Sequence, residues 1–150
     1  MNCGKYSRVR LPGREDLYVE GPEYETTAMI GGSCGIHDIR EVAYANRLCD
    51  DLGLDTMSGG SVAAFAMECF QRGIIGPVDV GGRELRFGNL EDLEHLLRLI
   101  ARREGIGDVL ARGTRGAGAS PSSIAGPPNA TRHPPVVCST LSSRPMSCPA

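Results

Sequence analysis

No acidic residue follows Asp108 in this sequence, although Arg112, Arg115, Arg132 and Arg144 do. The chain has 16 basic and 18 acidic residues in all, so residues 1–108 carry a net charge of about −6. The missing basic surplus excludes a nucleic-acid surface on the folded part. Long apolar runs are missing too, and with them any membrane-spanning helix. The chain opens without a secretory leader, so "NAT" at Asn129 reads as a chance match to the glycosylation acceptor pattern. A second compact cysteine pair is also lacking. Cys34-Gly35-Ile36-His37 has CxxH spacing and, with Cys49 and Cys69, offers a zinc-binding alternative, but compact zinc sites normally use two such pairs. In a cytoplasmic setting Cys138 and Cys148 are expected to stay reduced.

What is present suits one soluble domain: 150 residues, 41% apolar and 23% charged. From Gly116 onward the chain holds seven of its 10 prolines, many serines and no acid. Such a composition buries too little apolar area to offset the entropy of ordering. Residues 1–115 are therefore expected to fold and residues 116–150 to form a disordered Pro/Ser-rich tail.

Within the folded part, "KYSRVRL" and "DLYVEG" alternate apolar and polar residues around the turn signal "PGRED", which predicts a β-hairpin. Asp38 with Glu41 has the spacing of a helix-capping box. Ile39, Val42, Ala45, Leu48, Cys49 and Leu52 then make an apolar face that stops at Gly53. A second helix is expected from about Ser61 to Arg72, closing at Gly73, and its apolar run "VAAFAMECF" makes it central. "PVDVGGRELRFG" reads as a short extended piece with a Gly81-Gly82 turn. Asn89 caps a third helix whose Leu90, Leu93, Leu97, Ile100 and Ala101 face inward, with Glu91 and Asp92 at its dipole-favoured start. "DVLARG" adds a last turn. Cys49 and Cys69 lie on apolar faces as small hydrophobes, and His95 flanks the third helix's stripe at an edge. The fold class is mainly α: a small helical bundle with an N-terminal β-hairpin.

The chemically loaded stretch is "NRLCDDLGLDTMSGG". A connector between helices needs a glycine and little else, yet this one carries Asp50, Asp51 and Asp55 and then Ser58-Gly59-Gly60. If "SGG" precedes the second helix, free N–H groups there can hold anionic or carbonyl oxygens. The carboxylates can accept hydrogen bonds from ring N–H and amino groups. A heterocycle with amino and carbonyl edges plus a phosphate, such as a pterin cofactor, needs both. On spacing alone, the turn reads first as a plain capped connector, and Glu20, Glu23 and Glu25 in "EGPEYET" as solvated acids.

"CGKYSRV", "EGPEYET", "NRLCDDLGLDTMSGG", "FAMECFQRGII" and "FGNLEDLEHLLRLIARREGIGDVLARGTR", in that order, closely resemble the central segment of the aldehyde ferredoxin oxidoreductase family. The resemblance covers roughly Met1 to Arg115. It implies a tungsten (or molybdenum) bis-pterin cofactor with a 4Fe–4S cluster alongside, oxidation of an aldehyde to a carboxylic acid, and ferredoxin as electron acceptor. The family's DxxGL(C/D) motif contacts a pterin and falls on Asp50, Gly53, Leu54 and Asp55. Cys3 aligns with the last cysteine of the family's CxxCxxxC cluster motif. "EGPEYET" resembles the segment that supplies an acid near the metal, with Glu25 preferred, Glu23 next and Glu20 after them, as general base or proton carrier.

The resemblance also implies absences. The family's β-rich N-terminal domain and the later part of its helical region find no counterpart here, and one thiolate does not hold a cluster that normally takes four. The chain is therefore expected to be part of a larger α-helical cofactor-binding domain, as a fragment or a frameshifted reading, and inactive by itself without the N- and C-terminal parts of the parent enzyme. The alternative is a non-catalytic helical structural or interaction module.

Overall fold

The computed structural model describes Gly4 and residues 6–118. Cys3, Asn129, Cys138, Cys148 and the tail beyond Gly118 lie outside the described residues. The hairpin pairs β1 (Tyr6–Val9) antiparallel with β2 (Leu17–Glu20), Tyr6 opposite Glu20 and Val9 opposite Leu17. Strand alternation sends Val9 and Val19 inward to pack with Ala43. Tyr6 and Tyr18 stack on the outer face with ring centroids 5.9 Å apart.

The segment after the hairpin is helical, which the sequence reading left unassigned. Tyr24–Thr26 (α1) runs directly into a π-helical stretch, Thr27–Ser33. There follow α2 (Ile39–Leu52), α3 (Thr56–Gln71), α4 (Leu90–Arg102), α5 (Ile106–Leu110) and α6 (Gly113–Gly118). The mainly α bundle with one hairpin is thus observed. Asp38 caps α2 by accepting from the Arg40 N–H at 2.9 Å, and Asn89 caps α4 by accepting from the Asp92 N–H at 3.0 Å.

Several expected details change. α3 begins at Thr56, not near Ser61, because Asp55 caps it through the Ser58 N–H at 2.7 Å. Ser58-Gly59-Gly60 therefore lies inside the helix instead of before it. The glycines serve packing: a Cβ on Gly60 would meet the Met29 backbone at 2.8 Å, and one on Gly59 would meet Leu97 Cδ2 at 3.2 Å. Residues 76–88 form successive turns in place of an extended piece, with Val80 and Leu85 buried. Gly81 and Gly82 both have positive φ, and the Gly82 N–H reaches back to Pro77 O at 2.7 Å. The folded part also runs past the boundary expected at Arg115, since Ala117 in α6 is buried.

α3 is central, as its all-round apolar run suggested. Val62, Ala63, Ala66, Met67 and Cys69 join Leu93, Leu96, Leu97 and Ile100 of α4 in one core. Leu90 and Ala101 are only partly buried and Leu96 takes the fully buried place, so the α4 stripe lies slightly rotated from the expected one. Ile39, placed on the apolar face of α2, is 55% exposed. His95 sits at the edge as expected, its Nε2 2.8 Å from Val80 O, where it ties α4 to the turns before it.

Candidate functional site

α2 ends in a Schellman motif. The Leu54 N–H donates to Cys49 O at 2.9 Å and the Gly53 N–H to Asp50 O at 3.1 Å. Gly53 has φ 67° and ψ 32°, a left-handed conformation that costs glycine least. A Cβ there would meet nothing within 4 Å, so the turn faces open space. With Leu54 the only residue between the Gly53 cap and the Asp55 cap, α2 and α3 meet in a very short corner. Asp50 is exposed and its carboxylate makes no hydrogen bond or ion pair among the described residues, whereas Asp51 pairs with Arg47 at 2.8 Å. Asp55 is held below the usual carboxylate range by the Ser58 N–H.

The acid segment is pinned at three points. Ser7 Oγ donates to Gly21 O at 2.8 Å, Asn46 Nδ2 donates to Glu20 O at 3.1 Å, and the Thr26 and Thr56 hydroxyls bond each other at 2.9 Å. Asn46 lies on α2 one helical turn before Asp50, and Thr56 directly follows Asp55. "EGPEYET" is therefore fastened to both helices that flank the aspartate turn. Glu25 and Asp55 are chain neighbours of the two bonded threonines, so the backbones that carry them meet along one rim. The carboxylates of Glu23 and Glu25 make no hydrogen bond or ion pair among the described residues. Tyr24, 80% exposed, and Met57, 47% exposed, add apolar surface to the same rim.

Other candidates separate from this rim. Cys34 is fully buried, its Sγ 3.4 Å from Gly60 O and 3.6 Å from Met29 O, while His37 is exposed. Burial pushes the Cys34 and Cys49 thiols up to about 12. Among the described residues no group of three His, Cys, Asp or Glu side chains can hold a metal, which overturns the CxxH zinc alternative. Cys49 and Cys69 are buried in the helical core, where they pack as small hydrophobes. A groove of about 560 Å³ between the hairpin and α2, lined by Tyr6, Tyr18 and Tyr44 among others, contains none of the expected site residues. Its arginines are already paired, Arg14 with Glu94 at 2.9 Å and Arg47 with Asp51.

Sequence reasoning named the acids but missed Asn46, Thr26 and Thr56. Asn46 had a visible signal, since it follows Val42 by four residues on the inward side of α2. The threonine pair had none, because its members are 30 residues apart.

Comparison places this arrangement among larger enzymes. The chain aligns, with a TM-score of 0.61 and 27% identity, with the active site complex BamBC of benzoyl coenzyme A reductase in complex with 1,5-dienoyl-CoA. The match covers 80% of this chain and 18% of that one. A family profile described as aldehyde ferredoxin oxidoreductase, domains 2 and 3, matches residues 1–123. The chain belongs to the aldehyde ferredoxin oxidoreductase family. Relatives include the tungsten-containing aldehyde ferredoxin oxidoreductase of Pyrococcus horikoshii, 41% identical over 116 residues, which cover 75% of this chain and 18% of that protein. The aliphatic sulfonate oxidoreductase, WOR-like subunit, of Pyrococcus furiosus is 38% identical over 126 residues, covering 84% of this chain and 20% of that protein. The chain thus spans about a fifth of the length of the relatives it matches. These relatives are oxidoreductases, and no helix among the described residues is long and apolar enough to cross a membrane.

Proposed function

We propose that the Asp50–Asp55 turn and the Glu23–Glu25 segment form one wall of a tungsten (or molybdenum) bis-pterin site. The enzyme served by that site would oxidise aldehydes to carboxylic acids in the cytoplasm, with ferredoxin as electron acceptor. The observation that carries this reading is the fastening of the acid segment, with the unpartnered carboxylates of Glu23 and Glu25, to the helices beside an open glycine turn whose Asp50 carboxylate is also without a hydrogen bond among the described residues. The residues fit the group. Asp50 and Asp55 are acceptors suited to ring N–H and amino groups, Gly53 leaves open space beside the turn that Leu54 continues, and Tyr24 and Met57 supply apolar surface that a planar ring can cover.

When bound, the cofactor supplies the two-electron oxidation. This chain's residues would bind and orient it. Glu25, with Glu23 as the second candidate, would hold or carry the proton released as the aldehyde carbon is attacked. Cys3 would be a thiolate ligand of a neighbouring 4Fe–4S cluster, which takes four such ligands. Turnover by this chain alone is therefore not expected.

The test is titration of the purified chain with a soluble reduced pterin, alongside analysis of tungsten, molybdenum, iron and sulfide. Saturable pterin binding that weakens about tenfold or more in Asp50→Ala is expected from loss of a charged acceptor. Absence of pterin binding, or equal affinity in Asp50→Ala, would sink the proposal.

A further inference from the structure

Only three polar or charged residues are buried among the described ones: Thr26, Asn46 and Asp92. Asp92 belongs to the local fold of α4, where it accepts from the Arg86 N–H at 3.2 Å. The other two both act on "EGPEYET". Burying a polar side chain costs free energy unless it is bonded, so an apolar residue is the default at such positions. Neither bond closes a helix end or a strand ladder. Each joins the acid segment to a different helix, Asn46 from α2 and Thr26 to Thr56 of α3.

The attachments bracket the acids. Glu20 O is held before Glu23, and the Thr26 hydroxyl follows Glu25 directly. Gly21, at φ 98°, lies close under the Asn46 amide: a Cβ there would meet Asn46 Nδ2 at 3.6 Å and Glu23 N at 3.1 Å. Beyond Thr26 the chain enters the π-helical stretch, which lies against α3 at Gly60 so closely that a Cβ would meet Met29 backbone. The acid segment is thus clamped at its start by α2, at its end by the first residue of α3, and past its end by glycine packing.

We propose that Asn46 and the Thr26–Thr56 pair are positioning residues that set the acid-bearing segment against the aspartate turn. They touch no ligand and act through Glu25 and Glu23 on one side and Asp50 and Asp55 on the other. The idea rests on the pterin reading for its functional half but not for its structural half.

The test compares the full chain with Thr56→Val, which keeps the shape and removes the hydroxyl, and Thr56→Ser, which keeps the hydroxyl. Ser7→Ala, on the exposed hairpin, releases the same segment without touching a helix. Amide hydrogen exchange reads the latch and pterin titration reads its consequence. In Thr56→Val, exchange over residues 21–30 should rise about five- to tenfold while α4 and α5 stay protected, and Thr56→Ser should restore it. Pterin affinity should fall severalfold in Thr56→Val and Ser7→Ala and recover in Thr56→Ser. Unchanged exchange, or a uniform rise across all helices, overturns the latch whatever the pterin does. Local loosening with unaltered pterin affinity overturns the positioning role. A wild-type chain that binds no pterin sinks the proposed function, while exchange still judges the latch.

Discussion

At the residue scale, the aspartate turn separates two kinds of contribution. Gly53 acts through backbone conformation alone, since a side chain there meets nothing. Gly53→Ala is expected to lower stability by about 1–2 kcal/mol, the cost of a left-handed L-residue, as measured by urea unfolding. Asp55 acts through charge. Its folded carboxyl lies below the ordinary aspartate value of 3.8 because the Ser58 N–H favours the ionised form. A depressed folded pKa means stabilisation that is full above 3.8 and lost as the pH falls through the folded value. Asp55→Asn, which keeps the cap but not the charge, should therefore lose that contribution at neutral pH and unfold with a shallower acid limb as the pH falls, measured by urea unfolding at a series of pH values.

At the element scale, the hairpin is held to the helices by Glu94 of α4. Its carboxylate accepts from Arg14 at 2.9 Å and Arg98 at 2.7 Å, and from the Tyr44 hydroxyl at 3.4 Å, while the Arg14 guanidinium lies 4.1 Å from the Tyr44 ring centroid. Burial pushes the Glu94 carboxyl up, but the bonds from Arg98 and Arg14 outweigh it and leave it below the ordinary value. Glu94→Gln should cost about 1–2 kcal/mol, and the loss should shrink with added salt because both arginines remain partly exposed. The hairpin itself was legible from alternation and the "PGRED" turn. The start of α3 was not, because "SGG" has the composition of a loop and only contact with Met29 and Leu97 makes two glycines useful inside a helix. The turns of residues 76–88 escaped for a related reason: apolar residues at Val78, Val80 and Leu85 look like a strand, but among the described residues no strand lies beside them to pair with.

At the scale of the whole molecule, one core joins the π-helical stretch to α2, α3, α4, α5 and α6. Leu97 sits where α4 meets Gly59 of α3. Leu97→Ala should open a cavity there and cost about 2–5 kcal/mol, a large part of the whole stability of a domain this size, measured as a loss of cooperative thermal unfolding. Because the aspartate turn hangs between α2 and α3, that variant should weaken pterin binding as well, through loss of the frame and not of a contact.

The sequence by itself determined the hairpin, the three long helices, the central place of α3 and the membership of a family. Each of these rests on local chemistry: alternation, apolar period, capping residues and a short ordered motif. The tertiary structure alone decided which groups meet. It buried Cys34 away from His37, drew Ser58-Gly59-Gly60 into a helix, and bonded Thr26 to Thr56 across 30 residues. Such pairings depend on where packed helices cross, and a linear pattern carries the faces of helices but not their crossings.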